Sequence, residues 1–456
     1  MPLQKPSHEQ SGPADPLTLK KVAAFWFPLA LTWLMMSLEG PILAAIVARL
    51  VEPKANLAAH GVAFAIAIII EAPVIMIMSA STALARDRAT FLRLRNFTYL
   101  LNTAITVVLV ALLFTPGMDW ITRDLIGLPD HVADLVHRAL LVLLPWPAAI
   151  GYRRFYQGLL IANGQTRRVA CGTAIRLGTM CVVGFGFYFG LDLPGAIVSA
   201  AALSAGVTVE AVAARLMAVG AVTRLLSGAA QKESPQPRGY TYREIGKFYW
   251  PLALTSTISL AVHPMVTFFV GQGRFPLESL AVIPVVNALV FIFRALGLSF
   301  QETAIALLGD RAENYRLLKR FGFILGTATT VALATIVFSP LSKIWFESIS
   351  GLSPELARFA LMPARILVVI PPLSVLLSLQ RAVMVKMKRT VPVTWATCIE
   401  VSGVLGMLYV TIEMAGMIGA VGAAIALLAG RIGGNTFLLR PCKKATESRN
   451  GSAPTK

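Results

Sequence analysis

The residues able to do chemistry in this chain are ionisable groups embedded in long apolar stretches. They are Arg153, Arg154, Arg176, Arg215, Arg294, Arg365, Arg381 and Arg431, set against Glu39, Glu71, Glu210, Glu302 and Glu400, with His263 beside them. A charge at membrane depth is costly and by default faces a partner or a water-filled cavity. A carboxyl or imidazole whose access to water changes can load and release a proton. Glu39, His263 and Glu302 are therefore the candidate coupling groups for a proton or sodium ion. Arg294, Arg176 and Arg365, with Glu71, Glu400 and Asn287, are the candidate contacts for a small-molecule solute. The excess of arginine tilts the expectation toward an anion held chiefly by Arg294.

The elements that position these groups follow from composition. Of 456 residues, 56% are hydrophobic and 14% charged, against about 45–50% apolar and 25% charged in a soluble domain. About 20 apolar residues cross a bilayer, and twelve such spans can be read, at roughly 22–48, 57–84, 97–116, 131–161, 168–190, 194–219, 246–270, 278–308, 320–340, 354–386, 391–413 and 416–439. The expected class is an all-α polytopic membrane protein. Basic residues gather on one side: Lys20, Arg86, Arg93, Arg167, Lys232, Arg238, Lys247, Arg311, Arg316, Lys388 and Lys443 among them. By the positive-inside rule, both termini are expected in the cytoplasm and the chain in the plasma (inner) membrane. The net charge of +18 then reflects contact with anionic headgroups rather than a nucleic-acid partner.

The sequence also repeats. Phe25–Thr32 (FWFPLALT) matches Phe248–Thr255 (FYWPLALT), an offset of 223. That register aligns Pro41 with Pro264 and Asp87-Arg88-Ala89 with Asp310-Arg311-Ala312; at 224 it aligns Pro147 with Pro371 and Gly195 with Gly419. Each copy has six spans, so the two enter the membrane in the same sense. The expected domains are a disordered N-terminus (1–20), a first lobe (21–222), a cytoplasmic linker (223–245), a second lobe (246–440) and a cytoplasmic tail (441–456). Proline removes a helix hydrogen bond and clashes with the preceding turn, so Pro41, Pro264, Pro147 and Pro371 are expected as paired hinges. Under the repeat Glu71 matches Arg294 and Arg176 matches Glu400, which makes these pairs candidates for solute contacts or for a latch between lobes. No phosphate loop, HExxH motif, close Cys/His ligand set or nucleophile elbow occurs, so neither an enzyme nor a metal or organic cofactor is expected.

Pro28-Leu-Ala-Leu-Thr32 with Glu39 downstream, Leu57-Ala-Ala-His-Gly61, Ala85-Arg-Asp-Arg-Ala89, and Phe248–Leu254 followed by Pro264 resemble the multidrug/oligosaccharide-lipid/polysaccharide (MOP) exporter superfamily. Within it the progressive ankylosis protein family is the most similar. The resemblance covers roughly 20–440 and implies a MATE-like inverted V of two six-helix lobes, rocking between inward- and outward-open states. The ankylosis branch implies export of small anions such as citrate, pyrophosphate or nucleotides. The drug-extruding MATE branch implies cationic substrates exchanged for protons or sodium, often with an acid in the first helix, expected nearer Leu43 than Glu39. The major facilitator superfamily shares the six-plus-six repeat and is the remaining alternative.

Overall fold

The computed structural model describes residues 17–85, 87–163, 165–227, 240–309, 312–387, 389 and 391–450. The expectations at Arg86, Lys232, Arg238, Arg311 and Lys388, the first 16 residues, linker positions 228–239 and tail positions 451–456 lie outside them. The described chain forms twelve helices long and apolar enough to cross a membrane. They are α1 (Leu19–Val47), α2 (Pro53–Leu84), α3 (Arg88–Leu113), α4 (Asp130–Ala162), α5 (Arg167–Gly190) and α6 (Gly195–Met217), then α7 (Tyr242–Gln272), α8 (Pro276–Leu307), α9 (Tyr315–Phe338), α10 (Pro354–Lys386), α11 (Val391–Met414) and α12 (Gly419–Thr446). Among the described residues there is no strand, only an isolated bridge between Arg274 and Ile418. Phe189, Phe323 and Val182 are more than 70% exposed, a placement that only lipid makes favourable. The chain is an integral membrane protein.

The end at which α1 begins and α12 finishes is called near, and the opposite end far. The repeat is visible in the backbone. Helix α1 breaks at Leu38, between Leu19–Ser37 and Glu39–Val47. Helix α7 breaks at Ala261, between Tyr242–Leu260 and Val262–Gln272. In both, the proline three residues on (Pro41 or Pro264) lacks the N–H that would close the preceding turn. Helices α4 and α10 break before Pro147 and Pro371 in the same way. Glu52 and Phe275, each just before a proline, both take positive φ, as do Gly127 and Gly351. The π-helical turns Trp120–Leu125 and Ile344–Ile349 recur as well.

Three features depart from the expectation. Helix α2 is interrupted after Glu71 by a 3₁₀ turn, Ala72–Val74, because Pro73 falls there; its counterpart α8 runs unbroken over Pro276–Leu307. The last helix continues to Asn450, taking in positions 441–450 of the expected tail and burying Cys442. The third is an exchange between lobes. The first segment of α1 packs along α8, where the Trp26 indole donates to Ser299 Oγ at 2.8 Å. The first segment of α7 packs on α2: Ser256 Oγ donates to the Ala72 carbonyl at 2.9 Å, and Tyr249 donates to the Pro73 carbonyl. One apolar core fills the first lobe and the far half of the second, while the near half of the second lobe has a core of its own around Phe300. The seam between lobes is thus closed at the far end.

Candidate functional site: two buried charge clusters

The first cluster is built by α4, α5 and α6 with the kinks of α1 and α2. Glu210 on α6 is fully buried. It accepts from Arg153 and from Gln157 Nε2 at 3.0 Å, both on α4, and lies 3.6 Å from Arg176 Nε on α5. Arg176 also donates to Glu39, at the break in α1. Glu71, at the break in α2, accepts from the Trp146 indole. The approach of α5 to α6 requires Gly206, where an added Cβ would sit 3.1 Å from the Arg176 carbonyl oxygen. With Arg154, three arginines face Glu39, Glu71 and Glu210, and the cluster is neutral.

The second cluster occupies the matching place in the other lobe. At Gly430 an added Cβ would sit 2.6 Å from the Glu400 carbonyl oxygen, the counterpart of the Gly206–Arg176 approach. This brings Arg431 NH2 on α12 to 3.0 Å from Glu400 Oε1 on α11. Arg381 on α10 reaches Thr397 Oγ1 at 3.4 Å. Arg294 on α8 stacks over the Phe291 ring at 5.6 Å. The charges acting on Arg294 are those of Arg431, Glu400 and Arg381. The Nε atoms of Arg294, Arg381 and Arg431 are buried without a hydrogen-bond partner. Three guanidiniums therefore share one carboxylate, and Arg294 has no ion-pair partner among the described residues. Unfilled Nε donors also occur on Arg153, Arg154 and Arg176 of the first cluster, but only the second has guanidiniums in excess of its carboxylates, which is what a planar anion needs.

The sequence-nominated residues divide accordingly. Arg294 and Glu400 come together in one cluster, and Arg176, Glu39 and Glu71 in the other. Glu71 does not meet Arg294, nor Arg176 Glu400: Glu71, Arg176 and Glu400 find their partners inside their own lobes, so these pairs form no latch between lobes. Arg365 joins neither cluster: it is exposed and lies 5.4 Å from the Phe338 ring. Asn287, two turns before Arg294, lines an apolar cavity of about 20 Å³ with Val286 and Pro363, room for a single water and not for a solute. His263 is exposed beside the break in α7, within the field of Arg294. Glu302 meets the Trp33 side chain of α1. The sequence marks Arg153, Glu210, Arg381 and Arg431 as intramembrane charges without assigning them a role, and it singles out neither Gln157 nor Trp146. The offset of 224 that pairs Gln157 with Arg381 was the available signal. No group of three His, Cys, Asp or Glu side chains gathers among the described residues.

No protein-family model and no curated protein matches the sequence, but solved structures match the whole fold. An inward-facing multidrug resistance MATE family transporter of the MOP superfamily aligns with 94% of this chain and 99% of its own, at 15% identity and a TM-score of 0.70. An outward-facing one covers 96% and 98%, at 16% identity and 0.61. A MOP superfamily transporter from Pyrococcus furiosus covers 94% and 97%, at 17% identity and 0.62, and is described as having a binding pocket of reverse polarity and a different function. The fold is that of the MATE transporters: twelve helices in two lobes.

Proposed function

We propose that the protein is a secondary active transporter that moves a small organic anion across the membrane by alternating access of its two lobes. The observation that carries this reading is the charge imbalance between lobes: three half-buried arginines with one glutamate in the second, against a balanced set in the first. An anion neutralises the second cluster, with Arg294 and Arg381 as its contacts. The closed far rim and the higher similarity to the inward-facing transporter support an inward-facing state, with the basic near side in the cytoplasm against anionic headgroups. Glu39, at the hinge of α1 and paired with Arg176, is the candidate coupling group for a proton or sodium ion. His263 is placed to respond to charge at Arg294. The breaks at Pro41, Pro264, Pro147 and Pro371 serve as hinges.

The test is flux in proteoliposomes under an imposed pH gradient, with citrate, pyrophosphate and a nucleotide run beside a cationic dye. Anion flux that is lost in Arg294→Ala supports the reading. The second reading, proton-coupled extrusion of cationic drugs, is favoured by the acid in the first helix and by the drug-transporting neighbours. Dye flux that survives Arg294→Ala and is lost in Glu39→Gln establishes it instead.

A further inference from the structure

Two hydrogen bonds at the far rim join the lobes, with matching donors and with acceptors in matching turns under the repeat. Arg49, just past the end of α1, donates from NH2 to the carbonyl of Ser348. Gln272, at the end of α7, donates from Nε2 to the carbonyl of Leu125 at 2.7 Å. The donors are related by the repeat's step of 223, 49 to 272, while the acceptors lie one residue out of register in turns related by 224, where Leu125 corresponds to Ile349 and Ser348 precedes it. Each acceptor lies in one of the matched π-helical turns, Trp120–Leu125 or Ile344–Ile349. Such turns are uncommon and often mark functional positions. The glycine that follows each turn, Gly127 or Gly351, has positive φ and leaves room for the incoming donor: an added Cβ would lie 3.9 Å from Gln272 Nε2 or 3.0 Å from Arg49 NH1. What the two copies share is a long side-chain donor, not a charge. A third, unpaired contact, Lys54 to Glu278 at 2.5 Å, crosses the same rim.

We infer that Arg49 and Gln272 form a reciprocal latch that holds the far rim shut and sets the balance between inward- and outward-open states. The inference rests on the alternating-access reading. A symmetric latch suits it, because opening the rim separates both donors from both carbonyls in one movement and water takes their place. Each bond is exposed at the rim, so its loss shifts the open-to-closed ratio by a factor of roughly 2–10, the worth of one net hydrogen bond.

The test measures distances in the full chain, with its four native cysteines replaced by alanine and spin labels at Asp192 and Glu413 on the far side. A second pair at Arg167 and Arg316 reports the near side. Arg49→Met with Gln272→Leu is expected to lengthen the far distance and shorten the near one, with each single variant intermediate. Gly271→Ala removes no donor, but its Cβ would sit 2.4 Å from the Ile126 carbonyl oxygen across the seam, so it is expected to shift the distances in the same direction. Arg123→Ala is the control, since among the described residues Arg123 pairs with Asp119, Asp130 and Asp134 of its own lobe. Unchanged distances in both single variants and Gly271→Ala, or an equal shift in Arg123→Ala, overturn the latch. These distances report on the latch whether or not a tested solute is carried, so its failure is distinct from the absence of flux.

Discussion

Replacing Glu210 by glutamine tests whether the first cluster is an ion network held together by one carboxylate. Glu210 is the acceptor for Arg153 and Gln157 and the second acid beside Arg176. The substitution removes one charge and turns one of the two hydrogen bonds into a donor–donor contact. Arg176 keeps Glu39, so a single buried arginine, Arg153, is left uncompensated. Breaking a buried pair on one side costs about 3–5 kcal/mol, and the low end applies because polar groups of an unfolded membrane chain also find partners. At about 2.1 cal/mol/K per residue, 3 kcal/mol over a chain of this length lowers the midpoint by about 3 °C. The assay is thermal unfolding in detergent micelles followed by tryptophan fluorescence. The double variant Arg153→Met with Glu210→Met removes both charges and is expected to return within about 1 kcal/mol of the parent, since a buried pair gains little over apolar residues that fill its space. The argument is refuted if Glu210→Gln unfolds within 1 °C (about 1 kcal/mol) of the parent, or if the double variant is less stable than either single one.

The second cluster behaves in the opposite sense: Arg294→Met removes a charge that has no ion-pair partner and is expected to raise the melting midpoint by about 1–2 °C. The same variant is expected to abolish the stabilisation that citrate gives the parent, measured as a citrate-minus-chloride difference in midpoint. Arg365→Ala touches neither cluster and is expected to leave proteoliposome flux within about twofold of the parent, a difference too small to reflect a lost charge-assisted hydrogen bond. Gly158→Ala places a Cβ 2.5 Å from the Met78 carbonyl oxygen and 2.6 Å from Ser81 Cβ. Overpacking α4 against α2 in this way is expected to cost about 1–3 kcal/mol, read as a lower midpoint and a reduced yield of folded protein.

The spans were legible because lipid leaves a simple signal: the chain must stay apolar for about 20 residues at a time. The repeat added detail, since a proline shared at one register breaks the helix at the same place in both copies, at Leu38 and at Ala261. It also marked the places of Glu71, Arg294, Arg176 and Glu400, because equivalent residues occupy equivalent scaffold. It did not give their partners. Of the two acids beside Arg176, Glu39 and Glu210, the one on α6 is at 210, whereas the arginine that pairs with Glu400 is at 431, one turn before the counterpart position, which is Gly434. Nor could it show that Arg365 stands apart from both clusters, since one residue's direction depends on where a helix restarts after a break. The exchange of first segments between lobes joins residues such as Trp26 and Ser299, 273 positions apart, and no local pattern encodes that.

The unbroken helix α8 has a mechanical consequence. Its 32 residues make a rod of about 48 Å, gripped by the first lobe at two points: Lys54 holds Glu278 near one end and Trp26 holds Ser299 toward the other. The grips are about 31 Å apart, at 1.5 Å per residue, which leaves tilting as the easier movement. With Trp26 as the fulcrum, a tilt of about 10° carries Glu278 through about 5 Å but moves Arg294, five residues from the pivot, by only about 1 Å. A lever of these proportions parts the distant rim while the guanidinium near its pivot stays almost still.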